Sequence, residues 1–309
     1  MPKPSHESAA PGTSPMSLSD RFGMGAQNAL ELLRVGRFAD PEHAPFRVVH
    51  SDRVYKLRRY GDDQHQPRLA APIVLVPPLM VTSEVYDIAP DISAVHALLR
   101  GGLDVWLVDF GAPEREEGGM DRTLDDHIGA VDDAIERVVA TTGQSVHLAG
   151  YSQGGMFCYQ TAALRRSEGI KSLITFGSPV DLYRNVPGLN DTVAGPLIQA
   201  AAAAVRETLD RIAGLPGFLR ARGSSLLSVR ELSQAVDFVQ KLHDRAALEK
   251  REPAAVPERF VAWPGPALRD VIEQFIVHNR MTSGGFIVDG RTVSLSRTSP
   301  FPSWLHRDA

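Results

Sequence analysis

Val146-His147-Leu148-Ala149-Gly150-Tyr151-Ser152-Gln153-Gly154-Gly155 is the stretch that decides the fold. Val146 to Ala149 has the profile of a short buried strand, and residues 156–166 fit a helix, so Ser152 and its glycines fall on the turn between them. A G-x-S-x-G box is weak alone, because five residues with three fixed recur by chance. A strand before it and a helix after it supply the context that a nucleophile elbow requires. The reason is steric: the serine is held at a sharp turn in an unfavourable backbone region, so the residues two before and two after must be small. Gly150 and Gly154 meet that demand. Such a turn lifts the hydroxyl out of the sheet and leaves the free amides of the helix N-terminus, Gln153 foremost, beneath a developing oxyanion.

Working outward, Ile73-Val74-Leu75-Val76 is a continuous apolar run closed by Pro77-Pro78, as expected of a strand covered on both faces. Asp104 to Asp109 reads as a second buried strand and Ser172 to Phe176 as a strand beyond the elbow helix. Val48, Val49, Val54, Tyr55 and Leu57 predict one or two strands within 46–60. Between these lie a predicted helix at 90–100, stopped by Gly101-Gly102, and a long helical stripe through Leu124, Ile128, Val131, Ile135, Val138 and Val139. Strands alternating with helices at this spacing imply crossover units and a mostly parallel sheet, an α/β fold. The second oxyanion amide of such an elbow comes from the loop after the 73–76 strand. Pro77 and Pro78 have no N–H, so Leu79 is the first residue able to serve, with Met80 its neighbour.

From 182 to 280 the alternation stops. Leu197, Ala201, Val205, Leu209 and Ile212 keep one helical face, Leu232, Val236, Val239 and Leu242 another, and Leu268, Ile272, Phe275 and Ile276 a third. This reads as a helical cap set into a core of residues 20–181. Residues 1–19 are read as a disordered tail, followed by a docking helix through Phe22, Ala26, Leu30 and Leu33. Residues 281–309 are read as a hairpin, turning at Asp289-Gly290, and a tail.

Composition narrows the functional classes. The 309 residues carry 33 Lys+Arg against 37 Asp+Glu, a formal charge of −4, which gives no electrostatic reason to expect a nucleic-acid partner. The single cysteine excludes an internal disulfide and a multi-cysteine metal site, which fits a reducing compartment. The polar, Pro- and Ser-rich start has no apolar segment of the signal-peptide type, and no apolar run approaches the roughly 20 residues of a membrane span. The expectation is a cytoplasmic protein without a transmembrane segment.

Val76-Pro77-Pro78-Leu79, Asp104 to Pro113, Thr123-Leu124-Asp125-Asp126-His127, and Asn279-Arg280-Met281-Thr282-Ser283-Gly284-Gly285 with its hairpin resemble, in that order, the polyhydroxyalkanoate synthases, over about residues 70–298. The resemblance implies an α/β-hydrolase fold with a helical cap and ester or acyl-thioester chemistry, an acyl-CoA among the substrates, and leaves lipid-granule or homo-oligomeric association open. It departs in two places. Those synthases carry cysteine where this chain has Ser152, and serine is the lipase and esterase form of the elbow. In the family the catalytic aspartate and histidine lie on strands beyond the hairpin, and neither position has a counterpart before Ala309, so the fold is expected to be incomplete at its C-terminus unless the reading frame continues.

Substitutes within the chain are few. Downstream of Ser152 the histidines are His243, His278 and His306. Asp289 with His306 keeps the order Ser, Asp, His, but Asp289 fits its turn better; Asp181 would be an acid in an alternative position, or a loop aspartate; His278 reads as a solvated helix-end residue. Cys158 reads as a packed core thiol and His147 as a core-edge residue. Asp109, Asp125, Asp126 and His127 show no metal-binding spacing, Glu114 to Glu117 reads as a solvated loop, and Gly118-Gly119 makes no phosphate-binding pattern, so neither metal nor cofactor is expected. The reading that results is a serine hydrolase of aliphatic acyl esters or thioesters acting through Ser152, with the Gln153 and Leu79 amides as oxyanion hole. Its alternatives are a synthase-like acyltransferase and a catalytically silent, truncated lipid-metabolism domain.

Overall fold

Val74 and Val76 point to one side of the sheet and Ile73 and Leu75 to the other, so this strand is apolar at every position because both of its faces are covered. The computed structural model describes residues 43–61, 71–79, 81–181, 195–196, 199–200, 202–204, 206–207 and 261–294. Its strands β1 (Phe46–Ser51), β2 (Lys56–Tyr60), β3 (Ile73–Val76), β4 (Val105–Asp109), β5 (Val146–Tyr151) and β6 (Ile170–Phe176) form one sheet in the order β1-β2-β4-β3-β5-β6. The β1–β2 and β2–β4 pairs are antiparallel. β4, β3, β5 and β6 run parallel, as the alternating pattern required.

Helices cross over between the parallel strands. α1 (Ala94–Arg100) follows a short 3₁₀ turn and stops at Gly101-Gly102, as expected. α2 (Leu124–Thr142) buries the expected stripe of Leu124, Ile128, Val131, Ile135 and Val138 against Val74, Val76, Trp106, Val108, Val146 and Leu148. Its start is fixed by a capping box: Thr123 Oγ1 accepts from the Asp126 amide, and Asp126 accepts from the Thr123 amide. The opposite sheet face, with Ile73, Leu75, Val105, Leu107 and Ala149, is covered by Val95 of α1 and by Tyr86. α3 (Gln153–Arg165) begins directly after Ser152, three residues earlier than the apolar pattern suggests, because the glycines at its start carry no hydrophobic signal.

Further along, the described residues between 195 and 207 are helical. Ala202 among them packs on Leu268 and Ile272, and Gln199 donates to the Val277 carbonyl at 3.0 Å. Leu268 lies on α4 (Gly265–Val271), which continues as a π-helical turn, Ile272–Val277, followed by α5 (Arg280–Ser283). β7 (Phe286–Val288) and β8 (Arg291–Val293) form the expected hairpin. Asp289 (φ 49°) and Gly290 (φ 68°) are both left-handed, as a tight primed turn demands. Asp289 donates its amide to Asp125 Oδ2 at 3.1 Å and Leu124 donates its amide to Asp270 Oδ2 at 3.3 Å, so hairpin and α4 are both tied to the start of α2. The tail 1–19, the docking helix at 22–33, Leu197, Ala201, Val205, Leu209, Ile212 and the 232–242 stripe lie outside the described residues.

One expectation is corrected. Glu114 to Glu117 is no merely solvated loop: Glu116 accepts from the guanidinium of the fully buried Arg122, and Glu114 accepts from the Ala262 amide at 3.1 Å. A buried guanidinium demands an anionic or carbonyl partner for each N–H it can reach, and this loop supplies one. Arg122 also donates to the Phe110 carbonyl at 2.8 Å. A run of acidic residues read alone carries no sign of that neighbour.

Candidate active site

Ser152 adopts φ 52° and ψ −120°, a conformation that L-residues avoid, between the end of β5 and the first residue of α3. Holding a serine there costs about 1–3 kcal/mol, which the surrounding structure must offset. It is held by its backbone: the Ser152 amide donates to the Phe176 carbonyl at 2.8 Å, and its carbonyl accepts from the Gly155 amide at 3.1 Å. Its hydroxyl does not cap the helix. The side chain that the elbow presents is therefore left for other chemistry.

Gly150 and Gly154 of the box, and Gly155 after it, are required by contact. A Cβ on Gly150 would lie 2.4 Å from the Gly155 nitrogen, and one on Gly154 would lie 2.0 Å from the Val76 carbonyl oxygen. On Gly155 it would come 1.8 Å from Ser178 Oγ. The sequence gives no reason for a glycine at 155 and singles out nothing at 178; the contact between them explains both. Ser178 Oγ is buried with no hydrogen-bond partner among the described residues.

The Gly154 contact presses the first turn of α3 against Val76 and Pro77, where the loop carrying Leu79 begins. The Leu79 side chain is buried in the same core as Val76, which anchors the loop after its two prolines. Tyr86 donates its hydroxyl to the Val76 carbonyl at 2.8 Å. Burial raises that phenol far above its ordinary range, so it stays a donor. Gln153 Oε1 is buried without a partner among the described residues.

Two exposed apolar side chains adjoin Ser152, one beside it in the chain and one across the sheet. Tyr151 is 44% exposed, and Phe176, its partner across the β5–β6 register, is 56% exposed. Val180, on the loop after β6, is 45% exposed. Isolated exposed apolar residues are ordinary, but Tyr151 precedes Ser152 and the Phe176 carbonyl accepts the Ser152 amide.

The candidate acids and bases separate clearly. Asp181, on the loop following β6, accepts from Asn279 Nδ2 at 3.2 Å, which ties that loop to the segment entering α5. Asp289 is the left-handed residue of the hairpin turn, as its sequence context suggests. His278 is half exposed with Nε2 3.8 Å from Glu273. His147 Nδ1 lies 2.7 Å from Ser172 Oγ, and burial lowers its pKa. His43 and His96 surround Asp87, and His50 lies beside Asp52 and Asp133. His127 is buried on α2, its ring packed on Phe110 and Phe157, with Nδ1 2.6 Å from the Thr123 carbonyl. None of these partners is Ser152, and His243 and His306 lie outside the described residues.

The remaining titratable groups have structural tasks. Cys158 is fully buried and its thiol is pushed up by burial, which makes it an inert core residue. Asp109 pairs with Arg58 at 2.5 Å, Asp126 caps α2 and pairs with Arg53 at 2.9 Å, and Asp125 holds the hairpin. Each carboxylate thus has its own partner, and the three do not converge on a common metal-binding group.

A family model described as "Alpha/beta hydrolase family" matches residues 73–306. The chain is similar to the poly(3-hydroxyalkanoate) polymerase subunit PhaC of Allochromatium vinosum, 26% identical over 294 residues that cover 91% of this chain and 77% of that one. It is 34% identical over 122 residues to the PhaC subunit of Haloferax mediterranei, covering 39% and 24% of the two chains. Among solved structures, the Cif epoxide hydrolase from Acinetobacter nosocomialis aligns over 91% of this chain and 82% of that one, with 13% identity and a TM-score of 0.42.

Proposed function

The chain belongs to the alpha/beta hydrolase family, and from that premise we propose that it is a serine hydrolase of aliphatic acyl esters or thioesters, working through an acyl-enzyme on Ser152. The observation that carries the reading is the φ 52°, ψ −120° geometry of Ser152 at a strand-to-helix turn whose glycines admit no Cβ. Strain of this kind persists where it presents a side chain for chemistry. In the proposed reaction Ser152 Oγ attacks the acyl carbonyl, its proton passing to a base. The oxyanion is held by the Gln153 and Leu79 amides, the alcohol or thiol departs with a proton, and water then hydrolyses the acyl-enzyme. Tyr151, Phe176 and Val180 offer an apolar seat for the acyl chain. An acyl-CoA is one such thioester, and a cytoplasmic setting and the division into a 20–181 core, a 182–280 cap and a 281–309 end are part of the same proposal.

Fluorophosphonate labelling of the full chain tests this. Labelling that vanishes in Ser152→Ala supports an activated serine with its base in reach. A folded, cooperatively melting chain that never labels overturns it, since loss of the base alone removes about 10⁴–10⁶ in rate in subtilisin.

A second reading keeps Ser152 and changes the acceptor to an alcohol, as in a polymerase. It is favoured by the similarity to the Allochromatium vinosum PhaC subunit over 91% of this chain. Product analysis with a hydroxyacyl-thioester separates the two: free hydroxyacid marks hydrolysis, and oligomeric ester marks transfer.

A further inference from the structure

His50, Asp52 and Asp133 bring one nitrogen and two carboxylate oxygens to within 4.8 Å of one another at the β1 edge of the sheet. β1 and β5 are separated by three strands, so this cluster lies apart from Ser152. The geometry points to a divalent transition-metal site, of the zinc type, that clamps the β1–β2 turn onto α2.

Three observations support it. His50 Nε2 is buried yet has no hydrogen-bond partner among the described residues, and it lies 3.8 Å from Asp133 Oδ2 and 3.9 Å from Asp52 Oδ2. A tetrahedral zinc with bonds of about 2.0–2.2 Å sets its ligand atoms roughly 3.3–3.6 Å apart, so the two histidine–carboxylate distances must contract by a few tenths of an ångström and the carboxylate oxygens, within 4.8 Å of one another, by up to about 1.5 Å. Both carboxylates are also pre-oriented. Asp52 Oδ1 accepts from the Val54 amide at 2.7 Å and the Tyr55 amide at 3.0 Å, which leaves Oδ2 turned to the histidine. Asp133 Oδ2, the oxygen that faces the histidine, accepts from the Tyr55 hydroxyl at 2.6 Å and from Arg137 Nε at 2.7 Å, so Arg137 must leave it for an ion to bind. The Asp52 arrangement, one oxygen held by amides and the other facing the histidine, is the outer support that metal ligands normally have. Arg137 is 43% exposed on its side chain, so it can swing into solvent as the ion takes up charge. A neutral imidazole with two carboxylates and an open fourth position suits zinc better than calcium or magnesium, which prefer all-oxygen shells.

Sequence spacing hides the group, since Asp133 comes from a helix far along the chain from His50 and Asp52. A bound ion would join three elements that otherwise meet through Tyr55 and one another's side chains. The role is structural, and it is independent of the reading of Ser152.

The test is calorimetric titration of the chelator-treated full chain with Zn²⁺, alongside its thermal melt. The expected result is one saturable site per chain and a higher Tm with Zn²⁺. His50→Ala should abolish both, Tyr55→Phe should weaken binding about tenfold, and His278→Ala, which alters an exposed histidine elsewhere, should bind as the parent does. If His50→Ala melts without cooperativity, Asp52→Asn replaces it: the amide keeps an acceptor for the Val54 and Tyr55 amides and removes the ligating charge. No saturable binding, or binding unchanged in a folded His50→Ala or Asp52→Asn variant, overturns the site.

Discussion

The hydroxyl of Tyr86 donates to the carbonyl of Val76 at 2.8 Å, and that same carbonyl is the atom against which Gly154 rests. The last residue of β3 is therefore satisfied from one side and wedged by the elbow helix from the other. Tyr86 is buried, so removing its hydroxyl leaves the Val76 carbonyl short of that partner. Tyr86→Phe is expected to destabilise the chain by about 1–2 kcal/mol, measured by urea denaturation at constant m value. An unchanged midpoint would mean that water replaces the phenol.

Gly154 of the elbow and Gly129 of α2 respond oppositely to the same added methyl. Gly154→Ala places a Cβ 2.0 Å from the Val76 oxygen, a backbone atom that cannot yield. It is expected to cost about 3 kcal/mol or more, or to prevent folding. Gly129 lies within α2, exposed, with nothing within 4 Å of an added Cβ, so Gly129→Ala should stabilise by up to about 1 kcal/mol. Paired thermal melts give the two signs directly. Equal effects at both positions would remove the steric account of the elbow.

How much of this is legible in the sequence depends on whether the signal is local. The buried strands β3 and β4 and the α2 stripe are readable because every residue of each reports its own burial. Ser152, Gly150 and Gly154 are readable because a strand-to-helix elbow restricts its neighbours within two positions. Tyr86, Ser178 and Arg122 are not. Each acts on a backbone or side chain that arrives from elsewhere in the fold: Tyr86 on Val76, Ser178 on Gly155, Arg122 on Phe110 and Glu116. The acidic run at 114–117 looks like a solvated loop for the same reason, since nothing within it announces that a buried guanidinium lies against it. His50, Asp52 and Asp133 are the extreme case, joined only by the packing of α2 on the β1–β2 turn.

Acid should loosen the core through His127. Burial, with the Arg122 charge adding to it, lowers this imidazole from 6.5 to about 4, while its Nδ1–H still donates to the Thr123 carbonyl. The folded pKa lies below the unfolded one, so between these values the unfolded chain binds the extra proton and stability rises with pH. The contribution is complete above about pH 6.5 and lost as pH falls toward 4. A difference of this size corresponds to about 3 kcal/mol. His127→Phe, which keeps an aromatic ring beside Phe110 and Phe157, should flatten that part of the stability–pH curve whatever it does to the plateau. A slope between pH 4 and 6.5 that persists in the variant would assign it to other groups.

Ser152 itself separates strain from chemistry. At φ 52° and ψ −120° a Cβ is unwelcome, and both serine and alanine carry one. Ser152→Ala should abolish fluorophosphonate labelling and leave the melting temperature close to the parent's. Ser152→Gly should abolish labelling as well but relieve the backbone, which is worth about 1–3 kcal/mol, against which the greater freedom of glycine in the unfolded chain sets back roughly 0.5–1 kcal/mol. At about 2–4 °C per kcal/mol for a large domain, Ser152→Gly should melt a few degrees above Ser152→Ala. Differential scanning calorimetry on the two variants reads this difference without any substrate. Were the two to melt together, the elbow would hold its serine without strain, and the geometry of Ser152 would no longer distinguish it from an ordinary helix-start residue.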